Sequence, residues 1–152
     1  MNLFEEININ FKDKIILLDI DGTLVTDSDI DISESIIKKV LEIKKQNEIY
    51  LCTNKRNLER NKKIERILKL KIINSRFKKP NKKILSEFDH DDKKSKIVIG
   101  DKFLTDGIFA YRIGAKFIYV KRRSNGKETF FIKIVHLIDK LVYNLLRLVK
   151  LI

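Results

Sequence analysis

Cysteine occurs once in the 152 residues, as Cys52, so no intrachain disulfide can form and a reducing compartment is the expected setting. Inside an apolar run, that thiol reads as a small buried strand residue and not as a nucleophile. No apolar run is long enough to span a bilayer. Met1 to Lys14 carries Glu5, Glu6 and Asp13 and lacks the basic-then-apolar pattern of a signal peptide. Neither repeat nor linker interrupts a chain whose length suits one domain with a core able to fold unaided. His and Cys form no cluster, so any metal would have to be held by oxygen.

Positive charge is what the chain has in excess. The formal net charge is +12 and the pI about 9.7, which implies an anionic partner: nucleic acid, an acidic membrane surface or a phosphorylated substrate. Between Asn54 and Lys83 there are 13 Lys or Arg against two Glu. Lys, Asn and Ile are abundant throughout, as in proteins from AT-rich genomes, so the basicity has a compositional reading beside the functional one. Only Phe77 interleaves that basic stretch with an aromatic ring, which counts against base stacking and makes nucleic acid the weaker partner.

The chain is organised around Ile15-Ile16-Leu17-Leu18-Asp19-Ile20-Asp21-Gly22-Thr23-Leu24. Four apolar residues before a turn-prone Asp-Gly pair predict a short strand buried on both faces, as in a parallel sheet. Side chains alternate along an extended chain, so Asp19 and Asp21 project to one side, where like charges repel unless a cation is near. Ser33 is a candidate N-cap for a helix to about Asn47, with a stripe of Ile36, Ile37, Val40, Leu41 and Ile43. Glu48 to Asn54 is a second strand and its exit, about 58–70 a basic helix, and 71–74 a third short strand. Pro80 makes Lys79 extended and places it in a loop. A helix from about Asn81 to Phe88 leads to the solvated turn Asp89-His90-Asp91-Asp92. Lys96 to Asp101 is a further buried strand, Leu104 to Ile113 a helix closed by Gly114, and Ala115 to Val120 the last core strand.

This strand and helix alternation predicts an α/β fold: a mostly parallel, Rossmann-like sheet between two helical layers. In such a sheet the carboxyl ends of all strands lie on one edge, so Asp19, Asp21, Thr53, Asn54, Lys79 and Asp101 are expected to converge there. Three carboxylates suit Mg2+; an ammonium and a hydroxyl suit a phosphoryl group. After the turn signal Ser124-Asn125-Gly126-Lys127, residues 129–152 are apolar except for Lys133, His136, Lys140, Asn144, Arg147, Lys150 and the single acid Asp139. That spacing gives an amphipathic helix able to pack on the core or to lie in a membrane interface. Residues 1–124 are therefore read as the core, and 125–152 as a helical segment of the same domain.

The order Asp19-Ile20-Asp21-Gly22-Thr23, Thr53-Asn54, Lys79 before Pro80, and Gly100-Asp101-Lys102-Phe103-Leu104-Thr105-Asp106 resembles the four motifs of the haloacid-dehalogenase-like (HAD) phosphohydrolases, over about residues 15 to 120. That resemblance implies a Mg2+-dependent phosphatase in which Asp19 attacks phosphorus and Asp21 serves as general acid and then base. It implies phosphate binding by Thr53, Asn54 and Lys79. Asp19, Asp101 and the Asp21 backbone carbonyl would hold the metal, while Asp106 orients water or Lys79 from behind.

The intervals from Leu24 to Glu48 and from Lys55 to Lys78 are too short for a cap domain, so an uncapped HAD core of the IIIA-like kind is expected, its site open to a phosphate on something large. Lys78-Lys79-Pro80, the run Val98 to Gly107 and Arg112-Ile113-Gly114-Ala115 look like the phosphatidylglycerophosphate phosphatase family. This implies a phospholipid substrate presented by a membrane and a peripheral location there. Gly22 stands where that family often has Asn, and Lys55 and Arg56 where it has small residues. Two other readings stay open: an uncapped phosphatase for a nucleic-acid 3′-phosphate or a soluble phosphometabolite, and a membrane- or RNA-binding protein with a vestigial acidic pocket.

Overall fold

Ile15–Leu18 form β1, every residue of it buried, and the rest of the sheet is laid out from this strand. It pairs in parallel with β2 (Glu48–Leu51) on one side and with β4 (Lys96–Gly100) on the other. Outside these lie the short β3 (Lys71–Ile72) and β5 (Lys116–Tyr119), giving a five-stranded, all-parallel sheet in the order β3-β2-β1-β4-β5. The structure is a computed structural model and describes residues 1–26, 29–126 and 130–148. The chain winds outward from β1 to β3 and then crosses to β4, so the switch point where such sheets bind ligands falls between the ends of β1 and β4.

Alternation along β1 divides the core. Ile16 and Leu18 face α1 (Glu34–Lys44) and α2 (Leu58–Leu68) through Ile36, Val40, Ile43, Ile64 and Leu68. Ile15 and Leu17 face Ile84, Phe109 and Ala110, so α3 (Ile108–Arg112) covers the opposite side. Burial on both faces is why β1 and β4 read as unbroken apolar runs. Among the described residues no cap domain is present: one loop and α1 fill the first interval, and α2 and β3 the second.

Several boundaries differ from expectation for local reasons. α1 stops at Lys44 because the Asn47 side chain closes it, donating to the carbonyls of Phe11 (2.8 Å) and Ile43 (3.0 Å) and accepting the Lys14 N–H (3.1 Å). Ser33 stands at the cap position without a side-chain cap bond. α2 ends at Leu68 because Lys69 turns left-handed at φ 51°. The helix expected over 81–88 is a 3-10 segment, Lys82–Glu87, with Ile84 as its only buried residue, so no broad apolar stripe stabilises a full α-helix. The helix expected from Leu104 opens as a π-turn, Phe103–Gly107, before α3 begins.

The last element, α4 (Phe130–Leu148), packs against that π-turn and meets Tyr119 of β5. Thr129, residues 149–152 and Lys127 of the expected turn lie outside the described residues. Asp139, Val142, Tyr143 and Leu146 face the body of the protein, and Tyr143 meets the Phe103 and Tyr119 rings. The other side exposes Ile134, Leu137, Ile138, Leu141, Leu145 and Leu148. No described helix is long and apolar enough to cross a membrane.

Candidate active site

The sheet places the first carboxylate. The Asp19 N–H continues the β1–β4 ladder by donating to the Ile99 carbonyl at 2.9 Å, which holds Asp19 beside the exit of β4. The chain then turns sharply, with the Gly22 N–H donating to the Val25 carbonyl at 2.7 Å. Gly22 has φ 87°, and a Cβ there would lie 2.3 Å from Asp101 Oδ2 and 2.5 Å from Arg122 Nη1. Glycine at this position is therefore explained by the closeness of Asp101 and Arg122 as well as by the turn.

Lys79 is the hub of the pocket. Only 5% exposed, its ammonium donates to Asp19 Oδ1 at 2.6 Å and to Asp106 Oδ1 at 2.5 Å. Burial opposes the charge, but Asp106 and Asp19 outweigh it and hold the Lys79 pKa well above its usual range. Asn54 braces the backbone of the same residue from both ends, accepting the Lys79 N–H at 2.7 Å and donating to the Lys79 carbonyl at 3.0 Å. Asp106 also accepts the Lys102 N–H at 3.3 Å, so it organises the π-turn as well as meeting Lys79. Room for this carboxylate comes from Gly100, where a Cβ would lie 2.4 Å from Asp106 Cγ.

Asp19, Asp101 and Asp106 bring carboxylate oxygens within 4.8 Å of one another, all three residues buried. Burial raises the pKa of Asp19 to about 6 against the pull of Lys79, and that of Asp101 to about 6 against the pull of Lys102. Asp106 is raised by the same cause. Asp101 Oδ2 accepts from Arg122 Nη1 at 2.7 Å. Its Oδ1 is buried and accepts no hydrogen bond among the described residues. Crowded carboxylates with an oxygen left over fit a hard divalent cation such as Mg2+.

Asp21 has different neighbours. Its Oδ1 accepts from Arg60 Nη2 at 2.7 Å, and its Oδ2 from the Thr53 hydroxyl at 2.7 Å, with Lys55 Nζ 3.7 Å away. The Thr53 hydroxyl in turn accepts the Lys55 N–H at 3.0 Å. Asp19, Asp21, Asn54, Lys79, Lys102 and Asp106 all line one open cleft of about 430 Å³. The expected residues thus gather at one edge of the sheet, with the Thr53 hydroxyl turned to Asp21. Cys52 is buried beside them, its thiol pushed up to about 12 by burial.

Three further residues shape the site without having been singled out in the sequence. Arg60 looks like one more cation of a basic helix, yet it is 5% exposed and continues the buried row of Ile64 and Leu68 at four-residue spacing. An arginine on an apolar stripe was the available signal. Asp139, the lone acid of α4, carried a similar signal, being off the basic face. Arg122 gave none, since it follows β5 in a run of three cations.

In fold, the chain is similar to a solved structure of the putative HAD-hydrolase YfnB from Bacillus subtilis bound to magnesium, with a TM-score of 0.49 and 19% identity, over 59% of this chain and 45% of that one. It thus spans less than half the length of that protein. No curated protein matches it in sequence. The family model described as mitochondrial PGP phosphatase matches residues 1–123, a span that includes all four motifs. The chain belongs to the mitochondrial PGP phosphatase family.

Proposed function

We propose that the protein hydrolyses a phosphomonoester with Mg2+ through a phosphorylated Asp19, and that its substrate is phosphatidylglycerophosphate at an anionic membrane surface, released as phosphatidylglycerol and inorganic phosphate. The observation that carries this reading is the Lys79 ammonium held between Asp19 and Asp106 at the floor of an open cleft. It neutralises charge where a phosphoryl group would enter, while Asp19 remains close enough to attack it.

In the first step an Asp19 oxygen bonds to phosphorus and the ester oxygen leaves, taking a proton from Asp21. In the second, water attacks the aspartyl phosphate, Asp21 takes its proton, and phosphate departs with Asp19 restored. Thr53 and Arg60 orient the Asp21 carboxyl; Lys79 binds phosphoryl oxygens, with Asn54 fixing the Lys79 backbone. Asp19 and Asp101, with Asp106 close by, would hold Mg2+, which supplies positive charge to the transferring group and keeps Asp19 ionised.

The lipid part of the proposal is supported by charge and by α4. The exposed apolar side of α4 is flanked by Lys133, Lys140 and Arg147, each seven residues from the next, the arrangement of a helix lying in an interface. Each cation near an anionic leaflet adds about 1 kcal/mol of attraction. The family's mitochondrial description and the lone thiol are compatible with work in a reducing compartment.

The test is phosphate release from phosphatidylglycerophosphate in anionic vesicles, beside soluble phosphomonoesters and a 3′-phosphorylated oligonucleotide. Mg2+-dependent release that favours the vesicle substrate and disappears in Asp19→Asn is the expected result. Turnover of the oligonucleotide with no vesicle activity would replace the lipid reading.

A further inference from the structure

The carboxylate of Asp139 lies outside the residues matched by the family, yet it is 3% exposed and grips the turn that carries Asp106 and closely follows Asp101. Its Oδ2 accepts the Phe103 N–H at 2.8 Å and its Oδ1 the Leu104 N–H at 2.7 Å, and the Tyr119 hydroxyl donates to Oδ2 at 3.1 Å. Phe103 and Leu104 open the π-turn, where backbone N–H groups have no partner within the turn itself. A carboxylate that takes both forms short, charge-assisted bonds and fixes the turn in rotation as well as position.

Asp101 stands two residues before this grip and Asp106 three after it. The turn itself is wound to suit, since the Asp106 and Gly107 N–H groups both reach back to the Lys102 carbonyl, at 2.8 and 3.4 Å. A shift at Phe103 would therefore move both carboxylates relative to Asp19, which is held independently by β1.

We propose that Asp139 is a positioning residue for Asp101 and Asp106, so that α4 helps to set the Mg2+ affinity of the pocket. The inference rests on the reading of that pocket as a Mg2+ site and is independent of which phosphate ester is the substrate. Removing a partner that orients metal ligands typically weakens metal binding about 10- to 100-fold.

Asp139→Asn keeps the shape of the side chain but turns an NH2 group toward one of the two backbone donors. Calorimetric titration with Mg2+ alone is expected to show affinity at least about tenfold weaker than in the unaltered protein. Hydrogen exchange at the Phe103 and Leu104 amides should accelerate. With a soluble aryl phosphate, kcat should recover toward that of the unaltered protein at saturating Mg2+, with KM for the ester little changed; a general loss of structure would not give that split.

A folded Asp139→Asn with unchanged Mg2+ affinity and unchanged amide protection would overturn the proposal. If Asp139→Asn does not fold, Tyr119→Phe decides, because it loses one of the three donors. Weaker Mg2+ binding and faster exchange at Phe103 and Leu104 would sustain the inference, and no change in either would end it. Absence of Mg2+ binding by the unaltered protein is a separate outcome, which removes the metal site itself.

Discussion

Asp19 and Asp21 are two residues apart and live among opposite charges. Asp19 sits with Asp101 and Asp106, its carboxyl raised to about 6 by burial, and Lys79 is the cation in contact with it. Asp21 sits against Arg60, with Lys55 close by and the Thr53 hydroxyl on its other oxygen. One region gathers negative charge and is suited to take up a divalent cation. The other holds a single carboxylate by cations and a hydroxyl and is suited to keep it aimed. The difference arises because Asp19 directly follows β1 and is held beside β4, whereas Asp21 stands at the entry to the turn and meets Arg60 of α2.

The largest expected effect breaks the first region. Asp19→Asn removes the attacking oxygen and should lower kcat at least about a thousandfold on every ester tested, with a trapped phosphoenzyme absent from acid-quenched samples. The next distinguishes the second. Loss of a general acid costs about 10²- to 10⁴-fold when the leaving group needs a proton. Asp21→Asn should therefore be far more damaging on an alkyl phosphate than on a p-nitrophenyl phosphate, whose leaving group departs unaided. Equal losses on both esters would show that Asp21 does not protonate the departing oxygen.

Arg60→Met tests the contrast from the side of the cation. Asp21 would remain buried without its 2.7 Å partner, and breaking such a pair costs about 3–5 kcal/mol, measurable by urea unfolding. Arg60→Lys retains charge but not the guanidinium's reach to both Asp21 and the Asp29 carbonyl, 3.3 Å from Nε. It should recover part of that stability but aim Asp21 less well, and so, like Asp21→Asn, lose more activity on the alkyl than on the aryl ester.

The framework was legible in the sequence for the same reason that the site is shared between distant segments. Strands buried on both faces show as apolar runs, and parallel topology sends their carboxyl ends to one edge, so the sequence alone brings Asp19, Lys79 and Asp101 together. What escaped were features set by contacts between segments far apart. The π-turn at Phe103 depends on a carboxylate 36 residues away, and no local pattern announces it. Arg60 and Arg122 carry the same charge as their neighbours, and only burial sets them apart. Asn54 was expected at the phosphate, and its amide is spent largely on the Lys79 backbone.

The smallest expected effect concerns pH and follows from the raised carboxyls of the first region. Burial raises the Asp19 and Asp101 carboxyls to about 6 against an ordinary 3.8, so the folded state binds protons more tightly than the unfolded chain. The cost of keeping them ionised is fully present above about pH 6 and fades as pH falls toward 3.8. Mg2+ competes with those protons, so the stability it adds should be greatest above pH 6 and shrink on acidification. In thermal unfolding, the rise in Tm with saturating Mg2+ should be several degrees larger at about pH 7.5 than at about pH 5, since 1 kcal/mol is worth about 2–4 °C in a chain of this size. Asp101→Asn should abolish the increment at both values. An increment independent of pH would mean that the ion binds elsewhere than between Asp19 and Asp101, and would end the division of labour between the two aspartates.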